Sequence, residues 1–255
     1  MYRMIIRKTP EQVEKMAQAG DVLVRCLKML ESKTRAGVTT AELDEAAEKF
    51  IRSQDATPAF KGYRGFPGSI CASPNSMVVH GIPGGYELQR GDILSIDVGV
   101  IKDGWVADAA MTVPVGAVSA DAVKLLDVTK ASLFAGIEQM RPGNHLGDVS
   151  ATIQRTVEAE GLSIIRTLVG HGIGREMHEE PQVPNFGEPG KGPELEEGMV
   201  LAIEPMVNVG GPLVRMDEDG WSVFSEDDSL AAHFEFTVAV TADGPRILTP
   251  WHEAE

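Results

Sequence analysis

The chain has 255 residues but only two cysteines, Cys26 and Cys71. Two are too few for a disulfide framework, so we expect a cytoplasmic location. No apolar run approaches the roughly 18 residues that a membrane span needs, and residues 1–8 lack the apolar stretch of a signal peptide. Basic residues are scarce, since 23 Lys and Arg stand against 38 Asp and Glu, for a net charge of −15. This excludes a general nucleic-acid binder, which needs a basic face.

No low-complexity linker interrupts the sequence, which indicates a single domain over residues 1–255. Thr9-Pro10-Glu11-Gln12 is typical of a helix start, because Thr9 can cap the helix and Gln12 can complete a capping box. Apolar residues then recur at helical spacing up to Leu30. We also predict helices from Thr39 toward Gln54 and over 119–140 and 147–160, strands over 69–80, 91–100, 105–115, 163–169, 199–209 and 233–241, and a loop over 181–198.

An internal repeat is the most informative pattern along the chain. Gly91-Asp-Ile-Leu-Ser-Ile-Asp97 aligns with Gly198-Met-Val-Leu-Ala-Ile-Glu204. Three further pairs of segments match more loosely and occur in the same order in both halves: Arg35–Gly37 with Arg141–Gly143, His80–Pro83 with His178–Pro181, and Asp108–Val113 with Glu235–Val238. The repeat predicts two related halves, over 10–115 and 119–250, with an acid at the same strand position in each. Coincidental sheet patterning is the alternative.

Two aspartates lie in a stretch that otherwise has the pattern of buried β-structure. Lys102-Asp103-Gly104 is a turn signal between two apolar runs and predicts a hairpin. In that hairpin Asp97 and Asp108 fall nearly opposite each other, and cross-strand Cβ atoms are about 4.5–5.5 Å apart. Two carboxylates so close in an apolar sheet repel each other and are costly to desolvate. A divalent metal ion, or a pair of them, between the carboxylates relieves both penalties.

Glu204 and Glu235 extend this interpretation, because pseudo-twofold symmetry sets them across from Asp97 and Asp108. Four carboxylates match the charge of two divalent cations, and such metal pairs are about 3.5–4 Å apart. His171, which lies between two glycines, offers an imidazole to complete one coordination shell. Each residue alone has an ordinary interpretation, as an edge aspartate, a solvent-facing glutamate or a structural histidine. Their combination favours a metal site.

The other histidines divide into two groups. His80 and His178 begin matched His-x-x-Pro segments, and two such donors beside a metal pair suit contact with a substrate carbonyl and amide. Their alternative is a pair of surface loop histidines. We predict that His145, His233 and His252 are structural or solvent-exposed, because they lack such a setting.

The sequence lacks the marks of a protein nucleophile. There is no Gly-x-Ser-x-Gly elbow, and Gly170–Gly174 lacks the spacing and the lysine of a phosphate loop. Neither cysteine has the partner pattern of a nucleophile. Metal-activated water is therefore the predicted nucleophile.

From about residue 4 to residue 250, the sequence resembles bacterial type I methionine aminopeptidase. The matching segments are Ser76–Pro83, Asp92–Gly99, Gly104–Asp108, Gly170–Pro181, Ala202–Pro205 and Gly220–Val223, followed by Glu235. The resemblance implies the α/β (α+β) pita-bread fold of aminopeptidase P, prolidase and creatinase. That fold is internally duplicated, and helices cover the outer face of its curved antiparallel sheet. It also implies a dinuclear metalloaminopeptidase that removes the initiator methionine from nascent proteins when the second residue is small.

The resemblance assigns a role to each candidate ligand. It implies that Asp97 and Glu235 bind one metal and bridge, that Asp108 also bridges, and that His171 and Glu204 bind the other metal. Glu204 would also be the general acid/base that handles the proton of the attacking water, which bridges the metals. The two ions are expected among Co, Mn, Fe and Zn.

The resemblance also predicts a substrate site. His178 would contact the scissile peptide and stabilise developing charge, and His80 would position the substrate amide. The methionine pocket would be lined by Tyr63, Phe66, Cys71, Met177 and Trp221, an apolar wall that suits a thioether, although ordinary core residues are the alternative. The chain departs from the commonest bacterial pattern at Met177, where an aromatic residue is common, and at Arg64, where histidine is common.

Two competing hypotheses stay open at this point. A proline-directed peptidase of this fold usually has a separate N-terminal domain, for which the segment before Tyr63 is short. A non-catalytic peptide-binding module on the same scaffold is expected to lose metal ligands, whereas this chain retains the full set. The expected partners are nascent polypeptide N-termini and the ribosome near its exit tunnel, and we expect a monomer with no membrane or direct nucleic-acid function.

Overall fold

The structure, a computed structural model, describes residues 4–253. Within this range it has four α-helices: α1, Pro10–Lys33; α2, Thr40–Ser53; α3, Ala120–Ile137; and α4, Leu146–Ala159. The predicted capping box of α1 is confirmed, because the Thr9 side chain accepts from the Gln12 amide and the Gln12 side chain accepts from the Thr9 amide. The apolar positions of α1 from Val13 to Leu30 are buried, so helical spacing predicted both the helix and its inner face.

The sheets are built from short antiparallel strands. The strands are β1, Thr57–Pro58; β2, Ile70–Pro74; β3, Met77–Val79; β4, Ile93–Lys102; β5, Trp105–Pro114; β6, Ser163–Ile164; β7, Val169–Gly172; β8, Glu179–Pro184; β9, Val200–Ile203; β10, Met206–Asn208; β11, Val214–Met216; β12, Val223–Ser225; β13, Ala231–His233; β14, Phe236–Thr241; and β15, Gly244–Ile247. One sheet joins β4 to β1, β2 and β5, and another has the order β15-β14-β9-β7-β8.

Four of the predicted strands are interrupted. The run 69–80 divides into β2 and β3 at Asn75, whose φ of 56° makes a turn. The runs 163–169, 199–209 and 233–241 each divide into two strands, and the second of these breaks at Glu204-Pro205, where proline cannot donate to a sheet ladder. The predicted loop over 181–198 is wrong at its start, which is β8. That strand lies at the edge of its sheet, where its prolines are tolerated.

The predicted hairpin is β4 and β5. Its turn is Asp103-Gly104, where both residues have positive φ, 50° and 73°, as tight hairpin turns require. The register, however, corrects the predicted pairing of the aspartates. Asp97 pairs with Ala110, and Asp108 pairs with Gly99, so the two acids are diagonal neighbours on one face rather than nearly opposite.

The order of elements repeats once along the chain. Helices α1 and α2 precede the antiparallel pair β4 and β5, and helices α3 and α4 precede the antiparallel pair β9 and β14. The largest buried apolar cluster takes residues from all four helices and from both strand pairs. The predicted duplicated α/β architecture is thus confirmed. Within residues 4–253, no helix is both long and apolar enough to cross a membrane.

The two strand pairs meet along a seam between β5 and residues 233–237. Its pairs share one antiparallel register: Asp108 with Thr237, Ala110 with Glu235, and Thr112 with His233. At both ends a threonine hydroxyl accepts from the backbone N–H and donates to the backbone C=O of the residue opposite, at 2.8–3.0 Å. Between them the Glu235 amide donates to the Ala110 carbonyl at 2.9 Å. The seam therefore fixes the backbone of three buried polar residues: Asp108, His233 and Glu235.

Candidate metal centre

A cavity of about 190 Å³ opens at this seam. Its lining includes four carboxylates and four histidines: Asp97, Asp108, Glu204, Glu235, His80, His171, His178 and His233. The structure therefore brings together all five predicted metal ligands and both predicted catalytic histidines. It adds one histidine, His233, for which the sequence predicted a structural or solvent-exposed position.

Strand geometry explains why these acids converge. Asp97 and Asp108 lie on the same face of β4 and β5, because diagonal neighbours in a ladder share a face. Glu204 follows the last residue of β9, and Glu235 precedes the first residue of β14. Because Ile203 pairs with Phe236, each glutamate lies one residue beyond this pair, at the same end of the two strands. His171 lies on β7, next to β9.

Four side-chain atoms in the cavity that could bind a metal are buried without a hydrogen-bond partner among the described residues. They are Asp97 Oδ1, Asp108 Oδ1, Glu235 Oε1 and His233 Nε2. Buried polar atoms are normally paired, and unpaired carboxylate oxygens are especially costly. Oxygen and imidazole donors that converge without partners are the arrangement that a divalent cation requires. The residues therefore fit the metal that the sequence predicted.

Potential ligand atoms converge in two groups. The atoms from Asp108, His171 and Glu235 lie within 4.8 Å of one another, and so do the atoms from Glu204, His233 and Glu235. Glu235 belongs to both groups, as expected of a bridging carboxylate. His171 Nε2 lies 3.8 Å from Asp108 Oδ2 and 3.6 Å from Glu204 Oε1. Asp97 lines the same cavity but belongs to neither group.

The electrostatics show why the carboxylates need a cation. Burial raises the pKa of Asp97 to about 7 and that of Glu204 to about 8. Burial, reinforced by the neighbouring carboxylates, raises the pKa of Asp108 and Glu235 well above the usual range. A divalent cation beside them favours the ionised forms and reverses these shifts.

The pKa values of the four histidines shift in the opposite direction. Burial lowers the pKa of His171 to about 4 and also lowers the pKa of His233. Burial, with nearby charged or protonatable groups, lowers the pKa of His80 to about 4 and that of His178 to about 3. The lowered pKa values favour the neutral form of each ring near physiological pH. A neutral imidazole can bind a metal through one nitrogen or donate a single N–H to a substrate.

His178 has a defined partner at the mouth of the cavity. The hydroxyl of Tyr63 lies 2.8 Å from His178 Nδ1, and the two rings stack with centroids 5.5 Å apart. The other face of His178 meets His171, with centroids 4.2 Å apart. Arg64 lies over the Tyr63 ring at 5.3 Å. His178 is thus held between His171 and Tyr63.

The five predicted pocket residues all line this cavity: Tyr63, Phe66, Cys71, Met177 and Trp221. Phe66 packs edge-on against Trp221 at 5.1 Å between centroids, and Phe60 completes that wall. Cys71 pairs with Asp97 between β2 and β4, so the apolar wall begins directly beside the acids. Tyr63 has a further contact that the sequence did not predict, its hydrogen bond to His178.

His233 also lies in the cavity, although its sequence context predicted only a structural or solvent-exposed histidine. Its side chain is buried in the cavity, with Nε2 3.6 Å from Glu204 Oε2 and 3.9 Å from Glu235 Oε2. The signal that could have found it is strand alternation, because residues two apart on a strand share a face. His233 and Glu235 are two residues apart, so the assignment of Glu235 to the site should also have placed His233 there.

Comparisons with known proteins identify the family of this chain. The model of metallopeptidase family M24 matches residues 14–242. A methionine aminopeptidase of Clostridium perfringens is 53% identical over 246 residues, which cover 96% of this chain and 99% of that protein. The crystal structure of methionine aminopeptidase from Rickettsia prowazekii has a TM-score of 0.95 at 42% identity, covering 96% of this chain and 100% of that one.

A prolidase from Pyrococcus furiosus has a TM-score of 0.78 at 22% identity, and the match covers 98% of this chain and 66% of that one. It shares the fold. Fold and site together define a metal-dependent hydrolase with the predicted pita-bread architecture. The chain belongs to metallopeptidase family M24, among its methionine aminopeptidases. The predicted family is therefore confirmed.

Proposed function

We propose that this chain removes the N-terminal methionine from polypeptides whose second residue is small. The observation that carries the proposal is one cavity in which unpartnered, buried metal donors adjoin an apolar, aromatic wall. The donors suit hydrolysis, and the wall suits a methionine side chain. The similarity to methionine aminopeptidases supports the same reaction.

The residues that would hold two divalent cations are Asp97, Asp108, His171, Glu204 and Glu235. Four carboxylates match the charge of two such ions, and Glu235 is shared between both groups of converging donors. When bound, divalent cations lower the pKa of water and polarise a peptide carbonyl. The identity of the ions, among Co, Mn, Fe and Zn, belongs to this proposal.

Glu204 is the residue we assign to proton transfer. Its carboxylate lines the cavity beside the other acids, where it can exchange a proton with a water molecule held at the site. Its backbone is anchored, because Asn185 Nδ2 donates to the Glu204 carbonyl at 3.0 Å. The break between β9 and β10 therefore presents a positioned acid/base to the cavity.

His178 and His80 are the residues we assign to the substrate peptide. Both are neutral, and both line the cavity beside the acids. If Tyr63 donates to His178 Nδ1, the proton of the ring lies on Nε2, which is then free to donate to a substrate carbonyl. His80 has a φ of 59°, a left-handed backbone conformation that is uncommon for residues other than glycine, and its side chain lines the cavity.

The function is tested with purified protein loaded with Mn(II) or Co(II) and incubated separately with Met-Ala-Ser and Ala-Pro. We expect methionine release from the first peptide and no cleavage of the second. The matched control is Glu204→Gln, which keeps the side-chain volume but cannot transfer a proton. We expect its kcat to fall by about a hundredfold or more, with an unchanged far-UV circular dichroism spectrum.

Each other outcome points to a specific alternative. Cleavage of Ala-Pro alone would establish a proline-directed peptidase. Failure to retain any divalent ion during equilibrium dialysis would favour a peptide-binding module. Nascent chains as the natural substrate, docking near the ribosomal exit tunnel, a monomeric state and a cytoplasmic location are further parts of the proposal, and ribosome co-sedimentation tests the docking.

A further inference from the structure

His233 is the buried polar group that the proposed function leaves unused. Its side chain is about 3% exposed, and its Nε2 has no hydrogen-bond partner among residues 4–253. A buried imidazole normally uses both nitrogens, because an unpaired polar atom away from water is costly. His233 Nε2 instead points at two carboxylates from a distance at which neither is a hydrogen-bond partner.

The distances around His233 match those around His171. His171 Nε2 lies 3.6 Å from one oxygen of Glu204, Oε1, and His233 Nε2 lies 3.6 Å from the other, Oε2. The Glu204 carboxylate is thus flanked by two imidazole nitrogens at equal distances. Each imidazole also faces a second acid, Asp108 at 3.8 Å for His171 and Glu235 at 3.9 Å for His233.

These separations suit ligands of a common ion. Protein donors bind Zn(II) and similar ions at about 2.0–2.2 Å, so two ligands at tetrahedral or right angles to each other are separated by about 3–3.6 Å. Nitrogen-to-oxygen distances of 3.6 and 3.9 Å are close to that range and are too long for a hydrogen bond. Glu204, His233 and Glu235 are also one of the two groups whose donor atoms converge within 4.8 Å.

The backbone of His233 is held firmly enough to aim the ring. Thr112 Oγ1 accepts from the His233 amide at 2.9 Å and donates to the His233 carbonyl at 2.8 Å. His233 also pairs with Met206 between β13 and β10. The backbone of His233 is therefore fixed from both sides of the strand, which limits where its side chain can lie, as a preorganised ligand requires.

We propose that His233 is a further metal ligand, which binds through Nε2 the ion shared by Glu204 and Glu235. The proposal rests on the metal centre of the proposed function and extends its predicted set of five ligands to six. It gives the centre two imidazoles, His171 and His233, on either side of Glu204. Because imidazole favours Zn(II) over Mn(II) more strongly than a carboxylate does, His233 biases this chain toward Zn-like ions.

The direct test is the proton NMR spectrum of the Co(II)-loaded protein. A histidine bound to Co(II) through Nε2 gives a strongly shifted Nδ1–H resonance, which disappears in D₂O. We expect two such resonances in the wild type, one in His233→Gln and one in His171→Gln. The matched control is His145→Gln, which changes a histidine at the start of α4, away from the cavity, and should keep both resonances.

Metal affinity gives a second readout that does not depend on catalysis. Competition with a chelator should show Zn(II) bound about tenfold or more weakly by His233→Gln than by the wild type, and Mn(II) weakened by at most about threefold. His145→Gln should match the wild type for both ions. Circular dichroism and thermal melting of the metal-free variants establish that each one folds.

The outcomes separate this proposal from the function on which it rests. A single shifted imidazole resonance in the wild type, or equal Zn(II) affinity in His233→Gln and wild type, overturns the role of His233 even if Met-Ala-Ser is cleaved. Conversely, two resonances in a protein that leaves Met-Ala-Ser intact support His233 as a ligand and refute the proposed peptidase activity. If His233→Gln does not fold, the wild-type resonance count decides alone.

Discussion

A buried ion pair ties the start of the chain to the loop that carries His178. Lys8 Nζ donates to Glu179 Oε2 at 2.6 Å, and both side chains are almost completely buried, 2% and 5% exposed. The other oxygen of Glu179 accepts from the backbone amides of Arg175 and Glu176. We predict that Lys8→Met destabilises the protein and disturbs catalysis through this loop.

The structure sets the size of the effect. Removal of one partner from a buried pair leaves an uncompensated charge and typically costs about 3–5 kcal/mol. Burial outweighs the attraction of Glu179 and lowers the pKa of Lys8, so the pair itself contributes little net stability. We therefore expect Lys8→Met to cost about 3 kcal/mol, and the neutral double variant Lys8→Met/Glu179→Gln to recover at least half of that loss.

The neighbouring pair is a matched control. Arg7 and Glu196 are also 2.6 Å apart, but their side chains are 53% and 51% exposed. Exposed pairs contribute about 0–1 kcal/mol, so Arg7→Ala should change the free energy of unfolding by no more than that. Urea unfolding followed by circular dichroism measures all three variants with metal present. An equal loss in Lys8→Met and Arg7→Ala would refute this reasoning.

The same variants have a catalytic readout. Because Glu179 follows His178 directly and organises the preceding turn, we expect Lys8→Met to lower kcat on Met-Ala-Ser by about tenfold. His171 is held by a different strand, so metal content should not change. In a His178→Ala background the Lys8 substitution should have no further effect on kcat, and independent, additive losses would show that the pair does not act through His178.

Three further predictions follow from the site. Tyr63→Phe keeps the stacked ring but removes the hydroxyl 2.8 Å from His178 Nδ1; steady-state kinetics should show kcat lower by about 3–10-fold with KM nearly unchanged, and a change confined to KM would contradict it. Trp221→Ala opens the apolar wall and should raise KM for Met-Ala-Ser by about tenfold, whereas equal KM values would place methionine elsewhere. The metal-free protein should lose stability as pH rises from about 6.5 to about 8, because the pKa values of Asp97 and Glu204 are raised to about 7 and 8 and the folded state binds more protons at these groups than the unfolded one. Below that range the lowered pKa values of His80, His171, His178 and His233 oppose the effect. Urea unfolding in EDTA should show the loss between about pH 6.5 and 8, and a flat profile over that range would contradict it.

The sequence predicted those parts of the fold whose cause is local. The capping box at Thr9 and the hairpin turn at Asp103-Gly104 depend on residues a few positions apart, and both are confirmed. The convergence of Asp97 with Glu204 followed from the internal repeat. Local spacing was sufficient for the capping box and the turn, because both depend on neighbouring residues. The repeat was sufficient for the two acids, because they occupy equivalent positions in its two copies.

Other features depend on contacts between distant segments and were missed for that reason. The diagonal register of Asp97 and Asp108 depends on which turn residues pair, and a shift of two residues leaves the apolar pattern unchanged. Lys8 is buried only because Glu179 and Gly198 pack against it. His233 was missed because the test applied to Glu235 was not extended two residues along the same strand.

The seam has a consequence for how the chain folds. Its threonine bridges join residues that are 129 and 121 positions apart, whereas β4 and β5 need only a tight turn. Since local pairings form before distant ones, each half can assemble its strands before either has a complete set of ligands. Docking of the halves brings four acids together, and a divalent ion that binds only the docked state would favour that step. The proposed metal site would therefore stabilise the contact between the halves more than the fold of either half.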